Sequence, residues 1–257
     1  MKQHFQPIDV FNKEPYKKIL AFPEGKQDEI KKRLTELKKI GITHVSFTGQ
    51  LQIEKCHILG KGYVGMVVLA KKNNNIVALK IRRIDSPRKN MTNEGKLLKA
   101  ANKIDVGPKF IKNSKNFLIM EYIEGEKIID WAKKPETKSE EIRLVLNNVL
   151  RECYLLDSIG LDHGELSTID KHVIVGKNKN TIIDFESSST NRKSSNVTGA
   201  TQGILIGTGL AKIIQRKIKL PTKEIIINLI RQYKKNPTLE NFEKITIGLK
   251  LQNPGKF

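Results

Sequence analysis

The sequence lacks several features that mark particular protein classes. It has no run of about 18 consecutive apolar residues, the length that a membrane-spanning helix requires. It has only two cysteines, Cys56 and Cys153, which form neither a disulfide framework nor a zinc-binding spacing. The first residues carry no apolar signal core. These absences predict a cytoplasmic protein with reduced cysteines and no contact with a membrane.

Acidic residues are scarce relative to basic ones. The chain has 47 Lys and Arg against 27 Asp and Glu, which gives a formal net charge of +20. A surface of this charge attracts polyanions such as RNA through counterion release. Two interpretations stay open: a functional contact with RNA or a ribosomal particle, and a genome composition that favours Lys, Ile and Asn. No zinc-finger or RNA-recognition motif decides between them.

Four short motifs occur in one order along the chain. They are the glycine-rich segment 60–67, the strand Val77-Ala78-Leu79-Lys80, then His163-Gly164-Glu165-Leu166, and finally Ile183-Asp184-Phe185-Glu186. Phosphoryl transfer from ATP needs a glycine loop over the phosphates, a lysine that holds them, a carboxylate near the attacking hydroxyl and another for magnesium. The order of the motifs resembles that of the protein-kinase-like superfamily.

The residues after the glycines separate this pattern from a dinucleotide-binding one. A dinucleotide-binding G-x-G-x-x-G opens a helix, because the pyrophosphate binds at the helix N-terminus. Here apolar and β-branched residues continue into a strand, and asparagines 73–75 predict a hairpin turn. The pattern therefore predicts a kinase-like loop over the phosphates. Its nucleotide-binding residues are Gly60, Gly62, Gly65 and Val67.

Lys80 is predicted to pair with Glu94. The dipeptide Ser86-Pro87 has the chemistry of a helix start, and Glu94 lies on the apolar face of that predicted helix. A carboxylate on an apolar face is costly unless it meets a cation there. The other members of that face are Met91, Leu98 and Ala101. We therefore expect the lysine–glutamate ion pair that positions ATP phosphates in kinases.

The resemblance also implies an adenine site and, at residues 163–172, a catalytic segment. Segment 117–125 resembles the last small-lobe strand and hinge of kinases, which makes Met120 the gatekeeper and gives the adenine contacts to the backbone of Glu121 and Ile123. Kinases carry His-x-Asp, four further residues and Asn, followed by Asp-Phe-Gly. Glu165 replaces the first aspartate and is expected to orient the substrate hydroxyl. Asp184 is intact and is expected to bind magnesium.

The asparagine that binds metal in kinases has no direct counterpart. Counting without gaps places Asp170 there, and two extra residues would place His172 there instead. Asp170 is favoured because its oxygen suits magnesium, whereas a neutral imidazole suits it poorly. Glu186 replaces the glycine of Asp-Phe-Gly and brings another carboxylate close to this region.

The glycine after His163 resembles RIO-type kinases, the kinase subunit of the KEOPS complex, and aminoglycoside or choline kinases. A group of archaeal predicted serine/threonine kinases shares the pattern over roughly residues 55–214. The resemblance implies an α+β, bilobal fold and ATP and magnesium as cofactors. The expected domains are an N-terminal extension with one helix and a short strand (1–54), a small antiparallel β-lobe with one helix (55–121), and a reduced, mainly helical lobe (122–257).

The resemblance implies ATP-dependent phosphorylation of protein Ser or Thr residues. Two alternatives remain: a small-molecule kinase of the choline or aminoglycoside type, and an ATPase or non-catalytic regulator bound to RNA or a ribosomal particle. Segment 187–201 holds eight Ser or Thr residues around Arg192-Lys193. Two interpretations stay open: a loop that the enzyme phosphorylates itself, with the basic pair receiving the phosphate, and a polar, mobile loop without that role. Helices are predicted at 204–218, 222–235 and 238–249.

Overall fold

A computed structural model of the chain describes residues 4–177 and 179–251. They form two compact units, residues 4–99 with 108–122, and residues 100–107 with 123–251. The strands within these residues are β1 (Gln6–Pro7), β2 (Ile42–Ser46), β3 (Leu51–Ile53), β4 (Cys56–Ile58), β5 (Gly60–Lys61), β6 (Gly65–Lys72), β7 (Asn75–Arg82), β8 (Phe110–Asn113), β9 (Phe117–Glu121), β10 (Gly125–Lys127), β11 (Val173–Gly176) and β12 (Asn180–Ile182). The helices are α1 (Lys17–Leu20), α2 (Gln27–Ile40), α3 (Thr92–Asn102), α4 (Ile128–Lys133), α5 (Ser139–Ser158), α6 (Asn196–Leu205), α7 (Gly209–Lys217), α8 (Lys223–Lys235) and α9 (Leu239–Gly248).

The first unit is built on an antiparallel sheet in the order β1-β2-β6-β7-β9-β8, with β5 paired to β6. The hairpin of β6 and β7 confirms the turn predicted at the asparagines. Asn73 and Asn74 have φ values of 48° and 64°, a left-handed conformation that asparagine adopts more easily than most residues. The register of this hairpin places Val67 opposite Lys80. This α+β unit with an antiparallel sheet confirms the predicted fold class for the small lobe.

Helix α3 begins six residues later than Ser86, where the sequence predicted its start. Thr92 is its first residue, and the side-chain oxygen of Asn90 accepts a hydrogen bond from the Thr92 N–H at 2.9 Å. An Asn side chain that binds an N-terminal N–H satisfies a group that the helix itself leaves without a partner. The predicted apolar face is nevertheless present, because Met91, Glu94 and Leu98 are all buried.

The N-terminal segment is part of the first unit rather than a separate extension, which corrects the predicted boundary at residue 54. Strand β2 pairs with β6, and β1 pairs with β2, so both belong to the main sheet. Arg33 on α2 is fully buried and donates hydrogen bonds to the carbonyl oxygens of Leu20 and Arg82 and to the Asn116 side chain. Apolar residues of this segment share one core with the sheet, among them Ile8, Phe11, Ile19, Leu37, Met66, Leu79 and Ile81.

The second unit contains six of the helices and the three-stranded sheet β10-β11-β12. Its central helix α5 buries one face, as the helical spacing of its apolar residues predicts. The buried residues of that face are Ile142, Val145, Leu146, Val149, Leu150, Cys153 and Leu156. Helices α8 and α9 lie where the sequence predicts them, and the Thr238 side chain caps α9 by accepting from the Asn241 N–H.

Two predictions for segment 187–218 are wrong. The predicted polar loop is helical from Asn196, because Val197, Ala200 and Ile204 bury the inner face of α6. The single helix predicted at 204–218 is instead the end of α6 and the separate helix α7. The break contains Gly207 with φ 75°, and the Thr208 side chain caps α7. A left-handed residue and a new N-cap together end one helix and start the next.

No single helix in the described ranges has the length and apolar character to cross a membrane. Only α6 and α7 taken together reach that length, and they are bent by 68° at their junction.

Candidate functional site

The glycine-rich segment is a tight strand–turn–strand in the first unit. Strand β5 pairs Gly60 with Val67, and the Gly62 N–H donates to the Gly65 carbonyl at 2.8 Å. A Cβ on Gly65 would lie 2.7 Å from the Ile81 carbonyl oxygen, so this position has no room for a side chain. Tyr63 at the turn is 71% exposed. The segment is therefore the β-turn type of glycine loop that the sequence predicts.

Arg83 and Phe22 brace this glycine loop. The Arg83 guanidinium donates to the Gly62 carbonyl at 3.2 Å, and the Arg83 N–H donates to the Val64 carbonyl at 2.9 Å. The Phe22 ring lies 5.0 Å from the Arg83 guanidinium carbon and 4.4 Å from the Lys61 ammonium. These are cation–π contacts. The N-terminal segment thus contributes Phe22 to the support of the loop, which no motif in the sequence indicated.

Lys80 and Glu94 form the predicted ion pair. The Lys80 ammonium lies 2.8 Å from the Glu94 carboxylate, and the side chains are 3% and 7% exposed. A buried pair of this kind fixes the lysine in one position, because separating the charges would leave each of them desolvated without its partner. Lys80 is thereby held on β7, directly across the hairpin from Val67.

The residues predicted to contact adenine lie at the end of β9 and just after it. Met120 pairs with Ala78 of β7, and Glu121 is the last residue of β9. The Glu121 N–H donates to the Lys109 carbonyl at 2.9 Å, so in a hydrogen bond with adenine the Glu121 carbonyl oxygen would be the acceptor. Ile123 belongs to the second unit and is half-buried.

In the second unit, the β11–β12 hairpin sets which residue lies beside Asp184. Val173 pairs with Ile182, and one step further out the Ile183 N–H donates to the His172 carbonyl at 2.9 Å. His172 is therefore bonded to the residue that directly precedes Asp184. Asp170 lies earlier, in the 3-10 turn Leu166–Lys171.

One group of candidate metal ligands is present among the described residues. A ligand atom from each of Glu165, His172 and Asp184 lies within 4.8 Å of the other two. Asp170, the residue favoured from the sequence, is not in this group, whereas His172, the alternative that the sequence had left open, is a member of it. Glu186 is buried in the short turn Phe185–Ser187 and is not in the group either.

The two oxygens of Glu165 have different partners. Oε1 accepts a hydrogen bond from the Ser187 hydroxyl at 2.7 Å, and Oε2 lies 3.1 Å from Nε2 of His172. The Glu165 side chain is 37% exposed, whereas that of His172 is 9% exposed. One carboxylate oxygen therefore already binds a hydroxyl group, and the other faces the candidate metal ligands.

His163 is a fully buried structural neighbour of this group. Its Nε2 contacts the Ile183 carbonyl at 3.1 Å, and its ring lies 5.4 Å from that of His172 and 5.1 Å from that of Phe185. Burial, and secondarily the neighbouring His172, lowers the pKa of His163 to about 4. The ring is therefore neutral at physiological pH and packs the catalytic segment without adding charge.

A network around Asp157 fixes the catalytic segment to helices α5, α6 and α8. The Asp157 carboxylate accepts hydrogen bonds from the N–H groups of Asn196 and Val197 and from the Tyr233 hydroxyl. The Asn196 side-chain oxygen in turn accepts from the His163 N–H at 2.8 Å. Removing Asp157 would leave several buried donors without acceptors. No sequence motif indicated this network, because its members are far apart along the chain.

Arg192 has a structural role that the sequence did not predict. Its guanidinium binds the Asp162 carboxylate and donates to the Ser187 carbonyl at 2.6 Å. Gly164, with φ 92°, lies against it, and a Cβ on Gly164 would overlap the guanidinium. The expectation that Arg192 is available to receive a loop phosphate is thus altered, because this side chain already ties Asp162 to segment 187–192.

Glu152 on α5 is a buried acid next to β12. Its carboxylate accepts a hydrogen bond from the Ile182 N–H at 3.3 Å, and burial raises its pKa to about 7 against the effects of that bond and of Lys179. The unfolded chain loses this proton near 4.5, but the folded protein keeps it until about 7. Glu152 therefore contributes stability that is present below pH 4.5 and is lost as the pH rises through 7.

Glu152→Gln should gain stability over the wild-type protein as the pH rises. The difference in their free energies of unfolding is expected to grow by up to about 3 kcal/mol between pH 4.5 and 8. Urea unfolding at pH 5 and pH 8 measures it, with the exposed Glu136→Gln as the control. The contribution of His163 to stability has the opposite pH dependence. The wild-type protein and both variants contain His163, so its contribution cancels in the difference between their free energies of unfolding. A difference that does not change with pH would contradict the assigned titration.

Comparison with known proteins agrees with this geometry. The family profile described as RIO domain matches residues 70–197, about half of the chain. An uncharacterized protein of Methanocaldococcus jannaschii is 31% identical over 121 residues, which cover 45% of this chain and 99% of that protein. The range 70–197 that the RIO profile matches contains the residues on which the site depends, Lys80, Glu94, Glu165, His172 and Asp184.

A small antiparallel sheet with a buried Lys–Glu pair and a mainly helical unit with a carboxylate-rich segment define a protein-kinase-like protein. The chain belongs to the RIO-domain family, which comprises atypical kinases and ATPases that generally use ATP and magnesium. The resemblance seen in the sequence is therefore confirmed at the level of family and fold.

Proposed function

We propose that this protein transfers the γ-phosphoryl group of ATP to a serine or threonine hydroxyl of a protein. The observation that carries the proposal is the hydrogen bond of 2.7 Å from the Ser187 hydroxyl to Oε1 of Glu165. A serine hydroxyl of the protein is thus already bound to the carboxylate that, by the family resemblance, would orient the substrate hydroxyl. A second oxygen of the same carboxylate faces the metal-ligand group.

The residues present fit ATP and a divalent cation. Lys80 is fixed by Glu94 with its ammonium group at the end of a buried stem, as a phosphate-binding lysine requires. Nε2 of His172 lies 3.1 Å from Oε2 of Glu165, and a ligand atom from each of Glu165, His172 and Asp184 lies within 4.8 Å of the other two, so the three residues offer a ligand set for one ion. Bound metal–ATP would supply the phosphoryl group and neutralise its charge.

Each residue then has a defined part in the reaction. The glycine loop and Lys80 would hold the phosphates, and Asp184 with His172 would hold the cation. Oε1 of Glu165 would accept the hydrogen bond of the substrate hydroxyl and take its proton as the new oxygen–phosphorus bond forms. The bond from the γ-phosphorus to the β–γ bridging oxygen would break in the same transfer, and ADP would leave. Glutamate reaches one methylene further than the aspartate of other kinases, and the Ser187 contact indicates that the longer side chain still binds a hydroxyl.

Incubation of the purified protein with γ-labelled ATP and Mg²⁺ or Mn²⁺ tests this function. We expect label in protein-bound phosphoserine, with Ser187 as one modified position. Ser187→Ala should lose that label. Ser189→Ala is the control and should retain it, because the Ser189 hydroxyl accepts a hydrogen bond from the Asn191 N–H within its own turn. Glu165→Gln should lower transfer to every acceptor.

The same experiment with cell extract separates the alternatives. Label in a metabolite would replace the proposal with a small-molecule kinase. Label only in free phosphate would replace it with an ATPase, and the net charge of +20 would then favour a regulator bound to RNA or a ribosomal particle.

A further inference from the structure

We propose that Glu165, His172 and Asp184 form a site for a first-row transition-metal ion, which binds Mn²⁺ in preference to Mg²⁺. The inference rests on the proposed function, since it concerns the cation that would accompany ATP. The proposed preference for Mn²⁺ differs from the magnesium cofactor that the family resemblance implies, and the difference depends on one residue. His172 occupies the place where the kinase pattern has an asparagine oxygen, and an imidazole offers only nitrogen as a ligand atom.

Ligand chemistry makes this substitution consequential. Mg²⁺ prefers oxygen ligands in near-ideal octahedral geometry and gives up its water reluctantly. Imidazole suits first-row transition metals, whose affinity for nitrogen-containing sites rises from Mn²⁺ towards Cu²⁺. Mn²⁺ also accepts carboxylates and phosphate oxygens, as Mg²⁺ does. A site with two carboxylates and one imidazole therefore favours Mn²⁺ among the cations that can accompany ATP.

The spacing of the ligands is already suitable for one shared ion. Two ligands at about 2.1 Å from an ion and at right angles to each other are about 3 Å apart. Oε2 of Glu165 and Nε2 of His172 are 3.1 Å apart, and the ligand atoms of the whole group lie within 4.8 Å. Oε1 of Glu165 remains bonded to the Ser187 hydroxyl, so binding an ion through Oε2 does not compete with orientation of the acceptor.

An independent observation concerns the imidazole itself. His172 is 7% exposed, and its Nδ1 is buried with no hydrogen-bond partner in the described residues. Its carbonyl oxygen accepts a hydrogen bond from the Ile183 N–H at 2.9 Å, next to the pairing of Val173 with Ile182, so the β11–β12 hairpin holds the backbone that carries the ring. Nε2 is the ring nitrogen that faces Oε2 of Glu165, so an ion shared with this carboxylate would bind Nε2. The neutral tautomer with its proton on Nδ1 leaves the Nε2 lone pair available for that ion.

Direct metal titration of the full-length protein tests the proposal without relying on activity. Free Mn²⁺ is followed by electron paramagnetic resonance, with Mg²⁺ added as competitor, in the presence and absence of a non-hydrolysable ATP analogue. We expect Mn²⁺ to bind at least about tenfold more tightly than Mg²⁺. His172→Asn should reduce that ratio several-fold, because it restores an oxygen ligand, while His44→Asn on β2 should leave it unchanged.

The outcomes separate this inference from the proposed function. A Mg²⁺ affinity equal to or above that for Mn²⁺, or a ratio unaffected by His172→Asn, would overturn the cation preference even if the analogue binds. Absence of analogue binding would refute the kinase function, whereas a retained Mn²⁺ preference that His172→Asn abolishes would still support the metal site. Thermal unfolding of each variant confirms that a changed ratio does not reflect loss of the fold.

Discussion

Asp184→Asn is expected to abolish phosphoryl transfer, with a loss of at least about a thousandfold. Asp184 has φ 72° and ψ 74°, a left-handed conformation that asparagine adopts as readily as aspartate. The substitution therefore removes one negative charge from the ligand group without straining the backbone. The initial rate of label transfer from γ-labelled ATP measures the effect.

Two further variants give this prediction its controls. Asp130→Asn makes the same change on an aspartate of α4 outside the site and should keep the wild-type rate. Asp170→Asn tests the ligand first favoured from the sequence, and we expect it to keep most of the activity because Asp170 lies outside the ligand group. Retention of a tenth or more of the rate by Asp184→Asn, with the fold intact, would refute its role as metal ligand.

Replacement of Lys80 is expected to reduce phosphoryl transfer by more than about a hundredfold through weaker binding and positioning of the phosphates. A single substitution leaves the Glu94 carboxylate buried without its cation, and such changes typically destabilise a fold by about 3–5 kcal/mol. The double variant Lys80→Met with Glu94→Gln removes both charges and should keep more of the stability while losing the activity.

The comparison of these variants separates a catalytic from a structural effect. Lys96→Met, on the exposed face of α3, is the matched control and should retain both activity and stability. If the double variant were well folded and turned over ATP at the wild-type rate, the Lys80–Glu94 pair would be only a structural ion pair.

The sequence predicts best where residues are close along the chain or where a charge lies on an apolar face. The β6–β7 hairpin followed from its asparagines and β-branched strands. The Lys80–Glu94 pair followed from one carboxylate on the buried side of a helix, because burial of a lone charge demands a partner. Both features depend on local patterning, which the sequence contains directly.

The members of the candidate ligand group were harder to predict, because they depend on a count of residues in an irregular turn. The 3-10 turn Leu166–Lys171 has a residue with φ −107° and ψ 45° inside it, so its length could not be read from periodicity. The hairpin register, rather than the distance along the chain from His163, places His172 beside Asp184. The favoured ligand was Asp170 because oxygen suits magnesium, and that chemical argument could not supply the geometry.

Long-range contacts account for the other differences. Phe22 and Arg33 precede every motif, yet they support the glycine loop and the end of β7. Segment 196–201 is polar enough to be predicted as a loop, but its buried Asn196 lies in a helix anchored by Asp157. The polar groups of Arg33 and Asn196 form their hydrogen bonds with residues that are distant along the chain, and no local sequence pattern indicates such contacts.

Binding of nucleotide is the measurement that tests the central claim most directly. Isothermal titration of the full-length protein with ATP, in the presence of Mn²⁺ or Mg²⁺, should show saturable binding with a Kd below about 1 mM. Binding should require the divalent cation and should be lost in the double variant of Lys80 and Glu94. Absence of binding heat at ATP concentrations several-fold above about 1 mM, the upper end of the usual KM range, would contradict the assignment of this site to phosphoryl transfer.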